Sequence, residues 1–507
     1  MPAIPSARLS RSSISDRSTM DAQLRPHHLT RLASLALLGL LALLSGCASS
    51  GFDAGLAQTS RDTASFTQGQ LQLALTPEQR SAMDAQAAQL LQKPLGKDEA
   101  VQLALLNHPA WQALLAEYAS QAAQTEAAAR LPNPLLGFSR IRHGNALDIE
   151  RSLSFGLLDL LRLPQRQQLA RQQQNRAQLA LSAQVVAQVT QVRQAWVRAV
   201  AAHQALQYAQ QVHESADASA ELARRMLAAG NFSALAQSRQ QVYFADAVNA
   251  LTSAQHEQTR SREVLIRALG LSETQAAQLQ LPPRLPDLPA KARSKDEVLQ
   301  TAAATRLDVR MAQAELDDTT NAQGLGALAS LLDPGLELEL ALRRDTSFAN
   351  EGGTASGQNA SRGHGVELSL RLPLNGSASL QSKATDAQTL AKGQRLQAVL
   401  RAAGSHLRES YSAYRSSYEI AAHYRQHILP LRQRIMQENV LRYNGMLTGV
   451  FELLAEAREQ VASVQAALQA EQQFWLSDAA LQAELIGQPG QSSHALIDQP
   501  VSATPNE

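Results

Sequence analysis

Val366-Glu-Leu-Ser-Leu-Arg-Leu-Pro-Leu374 alternates without a slip. Val366, Leu368, Leu370, Leu372 and Leu374 fall on one side of an extended ribbon and Glu367, Ser369 and Arg371 on the other, because strand side chains repeat every two residues. A soluble sheet can lay such an apolar side on a core. A transmembrane barrel strand reads the same way, apolar toward lipid and polar toward a watery lumen. Leu336 to Leu342 repeats the pattern, with Glu337 and Glu339 on the polar side. Leu147 to Phe155 does so with Asp148, Glu150, Ser152 and Ser154, although Arg151 falls among the apolar positions. Leu135 to Ile141 is a weaker fourth ribbon. Nearly everything else reads as long helix, so two distant strand pairs, each set between long helices, are expected.

The chain has 507 residues, enough for two or more ordinary domains. Lys plus Arg (46) nearly balances Asp plus Glu (45), which removes an electrostatic case for nucleic acid. Aromatic residues make up only 4% while Ala, Gln and Leu abound, a bias that suits long helices packed through small side chains.

The single cysteine, Cys47, has a specific setting. Arg25, His27, His28 and Arg31 form a basic region, and the apolar run Leu32 to Leu44 is too short to span a bilayer, so residues 1–46 read as a signal peptide. The stretch before Met20 is long and polar for a signal, which makes Met20 an alternative start. Leu44-Ser-Gly-Cys47 resembles the bacterial lipoprotein box, in which the cysteine becomes the lipidated first residue. The absence of an acid at Ala48 and Ser49 resembles an outer-membrane address. Residues 47–96 then read as a lipidated N-terminal tether with little periodicity.

Helical patterning begins at Lys97 and stops at Leu131-Pro-Asn-Pro134, since proline lacks a donor and disfavours helix before it. The first strand pair turns at His143-Gly-Asn145 and closes at Pro164. From Gln165 to Ala229 there is neither proline nor glycine, giving ~100 Å of helix at 1.5 Å per residue. Within it Val185, Val189, Val192, Trp196, Ala199, His203 and Leu206 mark a heptad seam. Gly230-Asn231 interrupts, and a second helix runs to Leu269. Gly270 and a proline-rich passage end this half.

The plan then restarts. Lys97-Asp-Glu99 and Lys295-Asp-Glu297 stand in register, Pro134 answers Pro334, Pro164 answers Pro373, Gly230-x-x-Ser233 answers Gly445-x-x-Thr448, and Gly270 answers Gly487. Such repetition defines architecture better than any one motif. It divides the chain into a first repeat (97–270), a linker (271–294), a second repeat (295–487) and a tail (488–507) expected to be disordered. The loop from Asp345 to Gly363 is expected to be longer than the turn at His143-Gly-Asn145. Pro430, inside an otherwise continuous helix from Ser377 to Asn444, should kink it.

In this order, a helix, two strands and a long helical hairpin, given twice behind a lipoprotein signal, resemble the TolC-like outer-membrane factors of efflux systems, over roughly Lys97 to Gly487. The resemblance implies a mainly α fold with a small β part. It implies a homotrimeric channel in which four strands per chain make a twelve-stranded outer-membrane barrel. Four strands alone leave open edges whose backbone groups lipid cannot satisfy, so several chains must close the sheet. Asp148, Glu150, Glu337, Glu339, Glu367 and Arg371 would face the lumen. The chain would be the passive exit duct of a tripartite system with a periplasmic adaptor and an inner-membrane pump, lipid-anchored and barrel-spanning. A periplasmic coiled-coil lipoprotein serving as adaptor or scaffold is the alternative, but it would need more strands around its hairpin and would not repeat the plan twice.

Catalytic constellations are absent from the sequence: no nucleophile, base and orienter come together, so no enzyme activity and no cofactor are expected. His423 and His427 have metal-compatible i, i+4 spacing, but no third ligand stands out and a solvated face is the better reading. Tyr411, Tyr414, Tyr418 and Tyr424 read as packing, and Asp317-Asp318 as an exposed pair. By the same resemblance the hairpin tips meet the adaptor and constrict the pore. Gly230 and Gly445 would supply the positive φ of a tight turn, with Ser233 and Thr448 capping the returning helices. Six residues past each glycine the family carries acids. Here those positions hold Ala236 and Phe451, and Leu447 stands where an arginine is found, which argues against an ion-pair lock. Phe451 and Glu452 are the candidates for a constriction, Phe451 either as an apolar ring or as helix packing.

Overall fold

The computed structural model describes residues 50–143, 146–324, 337–349, 359–371 and 377–487. The first repeat runs α3 (Lys97–Asn107), α4 (Pro109–Ala128), β1 (Leu135–His143), β2 (Ala146–Gly156), α5 (Leu157–Ala228) and α6 (Ala234–Leu269). The second runs α8 (Lys295–Thr305), α9 (Leu307–Gly324), β3 (Glu337–Ala349), β4 (Asn359–Arg371), α10 (Ser377–His423), α11 (Leu429–Asn444) and α12 (Val450–Ile486). Ahead of them lie α1 (Ser50–Thr67) and α2 (Pro77–Leu90), and α7 (Glu273–Gln278) opens the linker. The fold is mainly α with one four-stranded antiparallel sheet, order β1-β2-β3-β4.

The long helices follow from composition. The 72 residues of α5 extend ~108 Å. Its predicted seam is real from Val185 to Ala199, all buried, with Trp196 donating from Nε1 to the Leu95 carbonyl at 2.7 Å. His203 is only half-buried and meets Gln207 at 3.1 Å. Pro164 does not precede this helix as expected. The helix begins at Leu157, capped at Gly156, and carries Pro164 inside it, so β2 leads directly into α5.

Two further expectations are corrected. Residues 47–96 are no bare tether from Ser50 onward. Phe66, Leu71, Leu91 and Leu95 enter the main core with Trp111, Leu115, Val189 and Trp196. Phe52, Leu56, Thr59, Thr63 and Phe66 make a stripe spaced by fours and threes along α1, an overlooked helical signal. Phe66 also anchors Arg193, whose guanidinium lies 4.3 Å from its ring and donates to its carbonyl at 2.6 Å and to Gln482 at 2.9 Å. Burial holds the Arg193 pKa below its usual value, against the pull of Asp98 and Asp478. Both ends of the loop expected from Asp345 to Gly363 are strand, pairing Asp345 with Gly363 and Ser347 with Ser361, and residues 350–358 lie outside the described residues. There the alternation of side chains persists although the composition turns polar.

The helix that holds Pro430 is not continuous α as expected. A π turn, Tyr424–Ile428, precedes the proline, so that the Leu429 N–H reaches back five residues to the Tyr424 carbonyl. The tyrosine cluster is packing. Tyr414 is buried against Phe474 (ring centroids 5.7 Å apart) and its hydroxyl accepts from the Arg293 N–H, while Tyr411 donates to the Arg293 carbonyl and Tyr418 to the Pro289 carbonyl. These hydroxyls strap the linker onto the second hairpin. Asp318 is not exposed as expected; it is mostly buried and pairs with Arg176 at 2.8 Å.

Candidate functional site

The register of the sheet sorts its residues. Asp148 lies opposite Ser347, Glu150 opposite Asp345, Glu339 opposite Ser369 and Glu337 opposite Arg371, while Ala341 pairs Glu367. All six polar positions predicted to face a lumen therefore share one face. The side chains of Glu337 and Arg371 lie outside the described residues, so for these two the statement rests on register alone. The same face holds Arg343, missed in the sequence because it stands where the alternation seemed to end. Its Nε is 2.6 Å from Glu150, and Nη2 is 3.8 Å from Glu367, tying three strands together.

The opposite face carries Leu136, Leu153, Leu342 and Val366 in one cross-strand row and Phe155, Leu340 and Leu368 in the next. These residues are not packed under the helices: Leu136 is 78%, Val366 72% and Leu368 62% exposed. Leu372, Pro373 and Leu374, with Leu336, lie outside the described residues. All strand ends that lead to helices (Leu135, Gly156, Glu337, Arg371) gather at one end of the sheet, with both turns at the other. In the single chain β1 and β4 each keep one edge unpaired.

The far ends of the two hairpins differ. At the first, Gly230 takes φ +74°, and the N–H groups of Gly230 and Asn231 close the helix onto the carbonyls of Leu227 and Met226 at 3.0 and 2.9 Å. Ser233 then caps α6, accepting from the Ala236 N–H at 3.2 Å. At the second, Gly445 does not adopt a positive φ; it sits at −81°, and Met446 takes the left-handed position at +60°. The N–H groups of Met446 and Leu447 close onto Tyr443 and Arg442 at 3.0 and 2.9 Å. The cap of α12 is Gly449, and Thr448 Oγ1 points instead at the Gly449 carbonyl, 3.3 Å away. The turn is the same motif moved one residue along, because α11 runs one residue further before it closes. Met446, not Gly445, is the counterpart of Gly230. Glu452, exposed, then stands six residues past the left-handed residue, where Ala236 stands in the first hairpin. The side chain of Phe451 lies outside the described residues.

The two tips touch. Phe232, Ala223 and Ala236 pack with Met226, Leu227 and Val450. Around them apolar side chains stay uncovered, with Met446 at 93% and Leu447 at 74% exposure. Arg458 joins the hairpins above, donating to Gln240 at 2.9 Å and stacking 4.3 Å from the Tyr243 ring, and Arg432 bridges Glu456 and Glu459.

The rings of His423 and His427 lie with centroids 5.2 Å apart and tilted by 43°, and among the described residues no cluster of three or more metal-ligating side chains occurs. Among the described residues no helix is long and apolar enough to cross a membrane. Cys47 lies outside the described residues.

No family model and no curated protein matches the chain. Solved structures do. The chain is similar to a membrane protein from Pseudomonas aeruginosa at 18% identity and TM-score 0.61, covering 82% of this chain and 94% of that one. The CmeC outer membrane channel of Campylobacter jejuni aligns at 13% identity and TM-score 0.62, covering 79% and 88%. The open state of the MtrE outer membrane channel of Neisseria gonorrhoeae aligns at 15% and 0.57, covering 81% and 89%. At these identities the likeness establishes the fold.

Proposed function

We propose that this chain, which has the TolC-like fold of outer-membrane efflux channels, is the exit duct of a tripartite export system. One observation carries the reading: an open four-stranded sheet has one exposed apolar face and one acidic face, and hangs by a single end from helices ~100 Å long. In water such an apolar face would be an aggregation surface. In a membrane it is the lipid face, provided the two free edges are closed by other strands. Three copies supply twelve strands, an even number in the barrel range. The homotrimer places Glu150, Glu367 and Arg343 along a watery lumen, and the helices below it make a tube across the periplasm.

The exposed apolar tips are where a periplasmic adaptor, and through it an inner-membrane pump, would dock, around Gly230, Ser233, Met446 and Thr448. Glu452 replaces Phe451 as the better candidate for a polar group at the mouth. Cys47 would carry the acyl anchor; a fatty-acid probe should label the wild type and fail on Cys47→Ser, and equal labelling of both removes the anchor.

The decisive test of the barrel is a pair of substitutions on neighbouring residues. Leu370→Arg on the apolar face should reduce assembled trimer strongly, since a cation near the midplane of a barrel's lipid face costs about 2–4 kcal/mol. Ser369→Arg on the other face should assemble nearly as well as wild type. Equal loss for both rules out the assigned faces.

A further inference from the structure

Arg151, the one residue that broke the alternation in β2, is not alone. On the apolar face the row Phe138, Arg151, Arg344, His364 lies immediately beyond the row Leu136, Leu153, Leu342, Val366, on the side of the turns. The next row adds Arg140 and Arg362 beside Ile149 and Thr346, and the last adds Arg142. The five arginines of these rows, and His364 beside them, are all exposed. Every acid of the four strands lies on the opposite face, by the same register. The segregation is by strand parity, so it is not a general enrichment of charge near the turns.

We propose that this belt binds the phosphate groups of anionic lipid headgroups in the membrane leaflet at the turn end of the sheet. Three features point there. The belt starts one row, about 7 Å along the strand, beyond fully apolar rows, which is where an acyl region gives way to headgroups. Arg151 stands directly across from Arg344, and like charges placed so repel unless an anion sits between them. Among the described residues no acid pairs with these arginines, whereas Arg343, one residue from Arg344 but on the other face, has two acids. Arginine presents paired donors that match phosphate oxygens. Uncharged headgroups would leave the row self-repelling; phosphorylated ones neutralise it and hold the chain at a set depth. This inference rests on the barrel reading above.

The test uses the full-length trimer in detergent and three probes: a lipid A bearing two phosphates, the same lipid with its phosphates removed, and inorganic phosphate. Native mass spectrometry or a fluorescence titration should show the phosphorylated lipid bound and the phosphate-free one at least about tenfold weaker. Inorganic phosphate should compete only weakly, because it lacks the acyl chains that the apolar rows hold. Arg151→Gln, Arg344→Gln and Arg362→Gln should each weaken binding about fivefold at low salt, the worth of one basic residue near an anionic surface. The lysine versions, which keep the charge, should bind within a few-fold of wild type. If the two lipids bind the wild-type trimer alike, or the glutamine variants match it, the inference is overturned; the lipid pair decides even where a variant folds poorly. Full competition by inorganic phosphate would mean a free-anion site instead. Failure to form a trimer at all would remove the barrel reading and this inference with it, whereas a sound trimer blind to phosphate removes only the inference.

Discussion

In the first repeat the long hairpin ends at Gly270, and in the second at Gly487, both left-handed at φ +66° and +77°. A Cβ on Gly270 would lie 2.5 Å from the His108 Cα, and one on Gly487 would meet the Arg306 Cα, the Leu307 N and Asp308. His108 and Arg306 occupy the same place, between the two helices that open each repeat. The polar lock around each joint differs: Asn107 donates to the Gly270 carbonyl at 2.7 Å, while Arg306 donates to the Glu484 carbonyl at 3.2 Å and pairs with Asp308. At the opposite end of the hairpins the likeness fails, with glycine left-handed at one tip and methionine at the other. Where backbone meets backbone, only glycine fits and the repeats agree. Where the turn stands in open solvent, the second repeat has drifted by one residue.

The largest expected effect tests the shared joint. Gly270→Val combines a positive φ with a backbone collision, and should destabilise by about 3 kcal/mol or more. Thermal unfolding should show a large fall in Tm and a low yield. A mild effect would mean that the joint is loose.

The tips should then separate. Gly230 has nothing within 4 Å of its missing Cβ, so Gly230→Val bears only the left-handed strain, about 1–2 kcal/mol. Gly445, with ordinary φ and only van der Waals neighbours at 3.5 Å or more, should accept valine at no more than a few tenths of a kcal/mol beyond the usual helix-end scatter. Equal losses would restore Gly445 as the true counterpart of Gly230.

Met446→Gly should stabilise by about 1 kcal/mol through release of left-handed strain, read as a higher Tm with trimer intact. Loss of adaptor cross-linking in that same variant would reveal that the exposed methionine is kept for contact rather than for the turn.

The smallest effect is a pH dependence unique to the second repeat. Glu471 stands sixteen residues before Gly487, where Ala254 stands before Gly270. Burial pushes the Glu471 carboxyl upward, opposed by Arg425 and aided by Asp287. A carboxyl raised in the folded state favours folding while protonated, below the ordinary glutamate range, and loses that contribution as pH rises through its folded pKa. Glu471→Gln should therefore gain stability over wild type at neutral pH, with the advantage vanishing as pH falls into the ordinary carboxylate range. A pH-independent difference in Tm contradicts the burial.

The sequence by itself determined the periodic and the punctuated features. Strand alternation around Glu337–Leu342 and Val366–Arg371 survived folding because the side-chain period of two is a property of the extended backbone. Pro134 and the glycines at 230, 270 and 487 marked real breaks because their effect is local, whereas Pro164 lies inside α5. Tertiary structure decided what depends on residues far apart. The stripe through Phe66 was legible along α1, but that it meets Arg193 was not. That Arg151, Arg344 and His364 form one row required the register of three strands. That Arg343 holds Glu150 and Glu367 required the same register. And that Met446 rather than Gly445 turns the second tip depended on where α11 stops, a competition between one more helical hydrogen bond and a strained φ that no single residue type decides.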